Sequence, residues 1–322
     1  MPRLLVIRRN NLGDAVCVLP WLQGLREANP ELLIDVITSP YASVIFKRSS
    51  VIREVVSIPE VYLGTALGVL LHPALRWLKS QQPYDYVVNA GGFSDKASIL
   101  AYLAPGKKKI GTVSGKGKFI DKVWDVPVLP VRDGRHQVMK IAYVGEQGGV
   151  GVNDLPPPVL FKNNDLNTNR IALCPLVNRL ASRWKDKHWL GLEAELLQQG
   201  LPVVWLGMRP DKGRGDLIAP RSTDEFLDEV SKSGLVICSE GGTSHVAPAF
   251  GVPTIVLSGV LIRDTWCPWS ALAVVLEQEG NVDGIAINDV LRQVESWLSL
   301  GRFVEIEGAY LNRWVMGGSN HV

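Results

Sequence analysis

Short apolar runs alternate with longer stretches of helical spacing along most of this chain. Leu4 to Arg8 (LLVIR) reads as a buried strand, and Leu32 to Pro40 (LLIDVITSP) as the next. Between them Val16, Leu19, Leu22 and Leu25 fall on one helical face, with Pro20 marking either a kink or the start of the helix and Pro30 its end. The same reading gives a helix over 41–46, a strand over 51–57, a helical stretch over 61–79 broken near Pro73, strands over 84–90 and from Lys107 to Thr112, and a helix over 135–150. Pro156 to Pro158, inside the polar segment 153–169, reads as a linker. The plan then restarts. Strands are expected over 170–175, 202–207, 235–238 and 254–259, and helices over 190–199, 223–232, 246–250 and 289–300. Ser222 and Glu225 form a capping box for the second of these helices. Strand, polar loop and helix in repetition predict an α/β protein with two doubly wound, Rossmann-like units, residues 1–158 and 159–322. Two such units are expected to face each other and turn their strand-end loops into one cleft.

Composition narrows the class. The 322 residues suit two domains, and 46% hydrophobic with 20% charged residues suits a soluble globular chain with a sizeable core. A net charge of +2 gives no argument for nucleic acid. Cys17, Cys174, Cys238 and Cys267 stand far apart, which argues against a zinc site or a disulfide framework and suits a reducing cytoplasm. No apolar signal region opens the chain, and the uncharged stretch Val61 to Leu71 is too short to span a bilayer. The 61–79 stretch reads as a core helix or as a surface helix touching a membrane through Arg76 and Lys79. Ten tryptophans could line a sugar site or fill the core.

Three loops carry candidate chemistry. Ser239 to Pro253 (SEGGTSHVAPAFGVP) places two glycines and a helix start between two strands. That is an anion site, with backbone N–H groups and the helix dipole aimed outward, or else an ordinary tight βαβ turn. Gly241 and Gly242 let the backbone approach a phosphate, and Thr243, Ser244 and His245 can add side-chain donors. The turn after the first strand, Arg9 to Asp14, holds only Gly13 instead of a G-x-G-x-x-G fingerprint. Its polar side chains point to a ligand bound by side chains and not to NAD. Six lysines between Lys107 and Lys122 face one acid, Asp121; the run is a solvated face or a loop that receives an anion.

Taken together, these residues resemble glycosyltransferase family 9, the family of the ADP-heptose:lipopolysaccharide heptosyltransferases. The matching pieces are Arg8 to Pro30, with its basic turn and LGD; KDKHW, Lys185 to Trp189, similar to a K-x-W element; and Glu240 to Gly259, similar to D-[ST]-G-x-x-H-x-A-A-x-x-x-P. The resemblance covers nearly the whole chain in order. It implies a GT-B fold and inverting transfer without a metal or cofactor, with a nucleotide-diphosphate sugar as co-substrate held by the C-terminal unit. It implies Asp14 as general base, with capping of the Ala15 helix as its alternative or parallel role. Lys187 would be the cation for the leaving diphosphate, with Lys185 as competitor. Ser182, Asp211, Glu240, Gly241, Gly242, Thr243, Ser244 and His245 would line the donor site. Arg8, Arg9, Asn10, Asn11, Lys116, Lys118 and Lys122 are expected on the acceptor side, facing an anionic or glycan acceptor that is free or lipid-linked. The setting implied is the cytoplasm, with peripheral contact at the inner membrane face. Glu240 and Gly241 replace the usual Asp-[ST], Pro248 replaces an alanine, and the stretch between Asp211 and Thr223 is short, which leaves the donor sugar open. An NDP-sugar epimerase or hydrolase on the same fold, or a non-catalytic nucleotide-sugar-binding module, are the competing readings.

Overall fold

A computed structural model describes residues 1–9, 11–59, 73–161 and 169–299. Asn10, the first half of the 61–79 stretch, part of the linker and the C-terminal tail lie outside the described residues. The chain divides into two compact units, Met1–Phe161 and Lys162–Val322.

In the first unit β1 (Arg3–Ile7), β2 (Leu33–Thr38), β3 (Glu54–Ser57), β4 (Tyr84–Asn89), β5 (Gly106–Thr112) and β6 (Val126–Val128) form one sheet in the order β3-β2-β1-β4-β5-β6. Every pairing is parallel. The second unit has β7 (Ile171–Cys174), β8 (Val203–Leu206), β9 (Asp216–Ile218), β10 (Leu235–Ser239), β11 (Thr254–Ser258) and β12 (Ala273–Glu277), in the order β12-β11-β10-β7-β8-β9. Read from its other edge this is the same 3-2-1-4-5-6 plan, with β7 as its first strand and β10 as its fourth, again all parallel. In such a sheet the chain reverses its direction of winding between the first and fourth strands, and the loops leaving those two strands part to leave a crevice. The places to look are therefore after β1 and β4, and after β7 and β10.

The helices are α1 (Leu12–Val16), α2 (Leu19–Ala28), α3 (Pro40–Lys47), α4 (Pro73–Ser80), α5 (Asp95–Leu103), α6 (Gln137–Gln147), α7 (Asp186–Gln198), α8 (Thr223–Ser231), α9 (Gly242–Ala249) and α10 (Ile287–Ser299). The single helix expected after β1 is two. Pro20 stands in the first turn of α2, where its missing N–H costs nothing, so it marks a start and not a kink. In α4, Ala74, Leu75 and Leu78 are buried in the first unit's core while Arg76 and Lys79 face solvent. Ser222 caps α8, its Oγ accepting from Glu225 N at 3.1 Å. No helix among the described residues is long and apolar enough to cross a membrane.

Most of the tryptophan surplus that the structure describes is core. Trp184, Trp189 and Trp205 meet edge-on or tilted in the second unit, with ring centroids 5.2 and 6.3 Å apart, and Trp21 is fully buried in the first. Three of these indole N–H groups have clear acceptors: Val150 O for Trp21 at 3.0 Å, Ile285 O for Trp184 at 3.3 Å and Glu193 Oε1 for Trp205 at 2.6 Å. None of the four cysteines forms a disulfide, and all are buried. Asp35, a charge in the middle of β2, is fully buried, and it is held by Arg53 Nε at 2.8 Å and the Tyr84 hydroxyl at 2.8 Å. Burial, then the bond to Asp35, raises the Tyr84 phenol above its ordinary value, so the phenol stays a donor.

Candidate active site

In the first unit β1 delivers Arg8 and then Asp14. Burial shapes this pair. The Arg8 side chain is 1% exposed, yet it lies just past a strand of five buried residues. Its Nη1 donates to Ala90 O at 2.7 Å, and its Nη2 donates to Asp14 Oδ1 at 2.6 Å. The guanidinium thus ties the loop after β1 to the loop after β4, at the point where winding reverses. Burial lowers its pKa from the ordinary arginine value, and Asp14 opposes that shift. Gly91 leaves this turn tight: a Cβ on it would stand 3.0 Å from Arg8 Nη1 and 3.3 Å from Asn89 Oδ1, so those side chains would have to shift. Asn89 braces the same turn, accepting from Gly91 N at 3.2 Å and donating to Gly92 O at 3.1 Å.

The sequence offers Asp14 as a base or as the cap of a helix beginning at Ala15. The structure keeps a capping role but moves it: Asp14 is not the N-cap of a helix from Ala15 but the third-position acid of a capping box. α1 begins at Leu12 with Asn11 as its N-cap, and Asp14 stands in the first turn, where Oδ2 accepts from Asn11 N at a long 3.3 Å. The Asp14 side chain is 15% exposed, with Oδ1 held by Arg8 and Oδ2 held only by the long bond from Asn11 N. Arg8, expected to touch an acceptor, is instead buried and committed to orienting Asp14. Arg9 is half-buried, Asn11 is exposed, and Asn10 lies outside the described residues.

The lysine run divides. Lys107, Lys108 and Lys109 lie at the start of β5, the opposite edge of the sheet from the loops that follow the strands. Lys107 pairs there with Asp85 at 2.8 Å. Lys116, Lys118 and Lys122 are on the exposed loop after β5. Asp121, the one acid, folds this loop by accepting from Ser114 Oγ at 2.6 Å, Ser114 N at 3.0 Å and Lys118 N at 3.1 Å. The Ser114 hydroxyl holds its carboxyl below the ordinary value. Lys118 lies 3.3 Å from Asp95 and 4.8 Å over the Phe93 ring.

In the second unit the segment after β10 is helical from Gly242, four residues earlier than the sequence suggests. Gly241, with φ 145° and ψ −155°, turns the chain into the helix, a conformation open only to glycine. Gly242, Thr243 and Ser244 therefore present the unpaired first-turn N–H groups of α9. Their side chains are less available. Ser244 Oγ donates to Gly241 O at 2.7 Å, and Thr243 Oγ1 lies 3.6 Å from Cys174 Sγ at the end of β7. His245 is buried in the first turn. Glu240, in the place of the family's aspartate, pairs with Arg179 at 3.6 Å. The loops after β7 and β10 are thus joined at the second crevice.

Ser182 is fully buried, and its Oγ accepts from Gly259 N at 3.0 Å. It holds two loops together and does not reach solvent. α7 starts at Asp186, four residues earlier than expected, so Lys185 is its N-cap and Lys187 is in its first turn. Lys185 is taken: Nζ pairs with Asp283 Oδ2 at 2.8 Å, and its N–H donates to Asp283 Oδ1 at 2.9 Å. Lys187 is exposed and has no ion-pair partner among the described residues. Burial pushes the neighbouring His188 imidazole below its ordinary value; Asp283 opposes this, while Lys187 and Lys185 add to it. Near neutral pH the cation that KDKHW offers to a ligand is therefore Lys187. Asp211 is exposed in the turn after β8. Among the described residues no group of three or more His, Cys, Asp or Glu could hold a metal ion.

The glycosyltransferase family 9 (heptosyltransferase) model matches residues 75–283. The chain belongs to glycosyltransferase family 9. It is accordingly a glycosyltransferase. Lipopolysaccharide heptosyltransferase 2 of Escherichia coli (strain K12) is 22% identical over 320 residues, covering 85% of this chain and 87% of that one. The family 9 glycosyl transferase of Veillonella parvula DSM 2008 superposes with a TM-score of 0.80 at 17% identity, over 93% of this chain and 97% of its own. The E. coli heptosyltransferase WaaC, solved with ADP-2-deoxy-2-fluoro heptose, gives 0.75 at 16% identity, over 91% and 99%. The fold is the GT-B fold of these enzymes. Three residues that shape the two crevices carry no role in the sequence reading: Asn89, Gly91 and Arg179. Gly91-Gly92 after a strand was the available signal for the first two; Arg179 had none.

Proposed function

We propose that this glycosyltransferase moves a heptose from ADP-heptose to a saccharide of the lipopolysaccharide core type, with inversion at the anomeric carbon and without a divalent metal. The reading is supported by the family and by relatives named as heptosyltransferases, one of them solved with an ADP-heptose analogue. The observation that carries it is the Arg8–Asp14 pair, which fixes Oδ1 and leaves Oδ2 only a long bond from Asn11 N, on a partly exposed carboxylate at a sheet's crevice. In the proposed reaction the first unit takes the acceptor. Asp14 Oδ2 removes the proton of the acceptor hydroxyl as that oxygen attacks the anomeric carbon. The C–O bond to the diphosphate breaks on the opposite face, and ADP leaves with the electron pair. The second unit holds the donor: the N–H groups at the start of α9 and the Lys187 ammonium meet the charge that grows on the diphosphate. Asp211 reaches the nucleotide. The proposed setting is the cytoplasm, at a membrane face that presents the acceptor.

The test is transfer assayed with ADP-, GDP- and UDP-linked sugars, with the product's anomeric configuration read by NMR. Transfer from ADP-heptose with inversion, undiminished by excess chelator, is the expected result. Activity lost to chelator and restored by magnesium or manganese would refute the metal-independent part. Transfer only from another nucleotide sugar would refute the donor.

Lys116, Lys118 and Lys122 are proposed to draw in an anionic acceptor. Replacing all three by Gln is expected to raise the acceptor KM about tenfold at low ionic strength and to flatten its salt dependence, since exposed charges act within roughly one screening length. Donor KM should stay constant. An acceptor KM unmoved at low salt would show that the run is only a solvated face.

A further inference from the structure

α7 carries one buried polar side chain, and the proposed reaction does not use it. Glu193 is 2% exposed and lies among the tryptophans of the second unit's core. Burying a carboxyl there is costly unless hydrogen bonds compensate for the lost water. The compensation converges on one atom. Glu193 Oε1 accepts from Trp205 Nε1 at 2.6 Å, from Arg214 N at 2.9 Å and from Gly215 N at 2.7 Å. Two of these donors are backbone groups of the loop between β8 and β9, and the third is a side chain of β8 itself.

That loop is built against the carboxyl. A Cβ on Gly215 would stand 2.7 Å from Val203 O and 3.2 Å from Glu193 Oε1, so only glycine fits. A Cβ on Gly213 would meet Arg209 Cγ at 2.6 Å and Trp205 Nε1 at 3.0 Å. Arg209 folds back over the turn, its Nη1 donating to Gly215 O at 2.8 Å, and Gly213 N donates to Pro210 O at 2.9 Å. The tip between these anchors is Asp211 and Lys212, both exposed. A core helix thus fixes, through one buried oxygen, the stem of an exposed loop at the strand-end edge of the sheet.

We propose that Glu193 is a positioning residue for the donor nucleotide, acting through the loop Gly207–Gly215 that carries Asp211. This rests on the reading that the loop meets the nucleotide. A contact loop held rigid before binding loses less conformational freedom when the ligand arrives, so the affinity gained is that of preorganisation. Glu193 itself touches no substrate. It fixes where the Asp211 carboxyl stands, and the donor is held more tightly than a free loop of the same sequence would hold it.

The experiment measures ADP binding to the full-length chain by calorimetry, with KM and kcat for donor and acceptor, in Glu193→Leu, Glu193→Gln, Gly215→Ala and Asp211→Ala. Glu193→Leu is expected to weaken ADP by about tenfold and to raise the donor KM in step, while kcat and the acceptor KM stay within about twofold. Glu193→Gln keeps an acceptor oxygen in place and should restore most of the affinity. A merely structural role would lower thermal stability without this split between donor and acceptor. If Asp211→Ala weakens ADP but Glu193→Leu does not, the positioning role is overturned and the loop's role stands. If neither moves ADP binding, the loop lies outside the donor site and both ideas fall. Should Glu193→Leu fail to fold, Gly215→Ala, which pushes the loop off the same oxygen, is read by the same criteria.

Discussion

Replacing Asp14 by Asn is expected to lower kcat by about 10²- to 10⁴-fold, the usual range for a lost general base. An attacking hydroxyl oxygen gains positive charge as it bonds to carbon, and removal of its proton relieves that charge in the transition state. An amide cannot take the proton. The amide oxygen of the Asp14→Asn side chain can still accept from Arg8 Nη2, as the carboxylate does, so α1 and the turn should survive and thermal unfolding should shift little. The proposed donor segment belongs to the other unit, so ADP affinity should be unchanged. A near-normal kcat would reduce Asp14 to a structural member of the first turn and move the base elsewhere. A rate that falls while the product stays the same and ADP binds as before is the signature of lost proton removal.

Arg8→Met is expected to do two things at once. It removes the donor to Ala90 O and the partner of Asp14, both at buried or nearly buried positions. Leaving such acceptors unpaired costs about 1–3 kcal/mol. For units of this size that corresponds to a fall in Tm of about 2–4 °C per kcal/mol. The second effect is on turnover. With no guanidinium to fix Oδ1, the Asp14 carboxyl can turn away from the attacking hydroxyl, and misplacement by about 1 Å can cost 10²-fold in rate. Arg8→Lys retains the charge but not the planar fork that reaches two acceptors, so it should recover stability better than kcat. A surface contact with the acceptor would behave differently: acceptor KM would rise, and Tm and kcat would hold. Measuring all three separates the orienting role from the acceptor-binding role that the sequence suggests for this residue.

Much of the architecture is legible in the sequence because parallel strands buried on both faces must be short, apolar and bounded by turn residues. LLVIR, RIALC and TIVLS are such runs. The strand–glycine–helix segment proposed to hold the diphosphate is legible for the same reason: Gly241-Gly242 interrupts two of these runs, and Pro253 closes it. Two helices start earlier than their apolar spacing predicts. Asp186 to Trp189 and Gly242 to His245 are rich in residues with weak helix propensity, yet they form first turns in α7 and α9. Packing of the later turns on the sheet outweighs that weak preference.

The sequence by itself determined the repeated order of strand, polar loop and helix over most of the chain and the three motifs that resemble the family's, because those depend on neighbours a few residues apart; β6, β9, β12 and α5 were not legible in it. Only the tertiary structure decided what each polar side chain does. Arg8 and Arg9 are adjacent and alike in the sequence, but Arg8 is committed because Ala90, brought beside it by the β1–β4 pairing, offers a carbonyl. Lys185 competes with Lys187 as the cation until Asp283 pairs with Lys185 and leaves Lys187 to solvent. Glu193 is one more acid on a helix until α7 packs against β8 and encloses it beneath the 207–215 loop. In each case the deciding partner is a dozen to a hundred residues away. Charge and hydrogen-bonding capacity are written locally, but their satisfaction depends on which strands lie side by side, and that is set by the crossovers of the sheet.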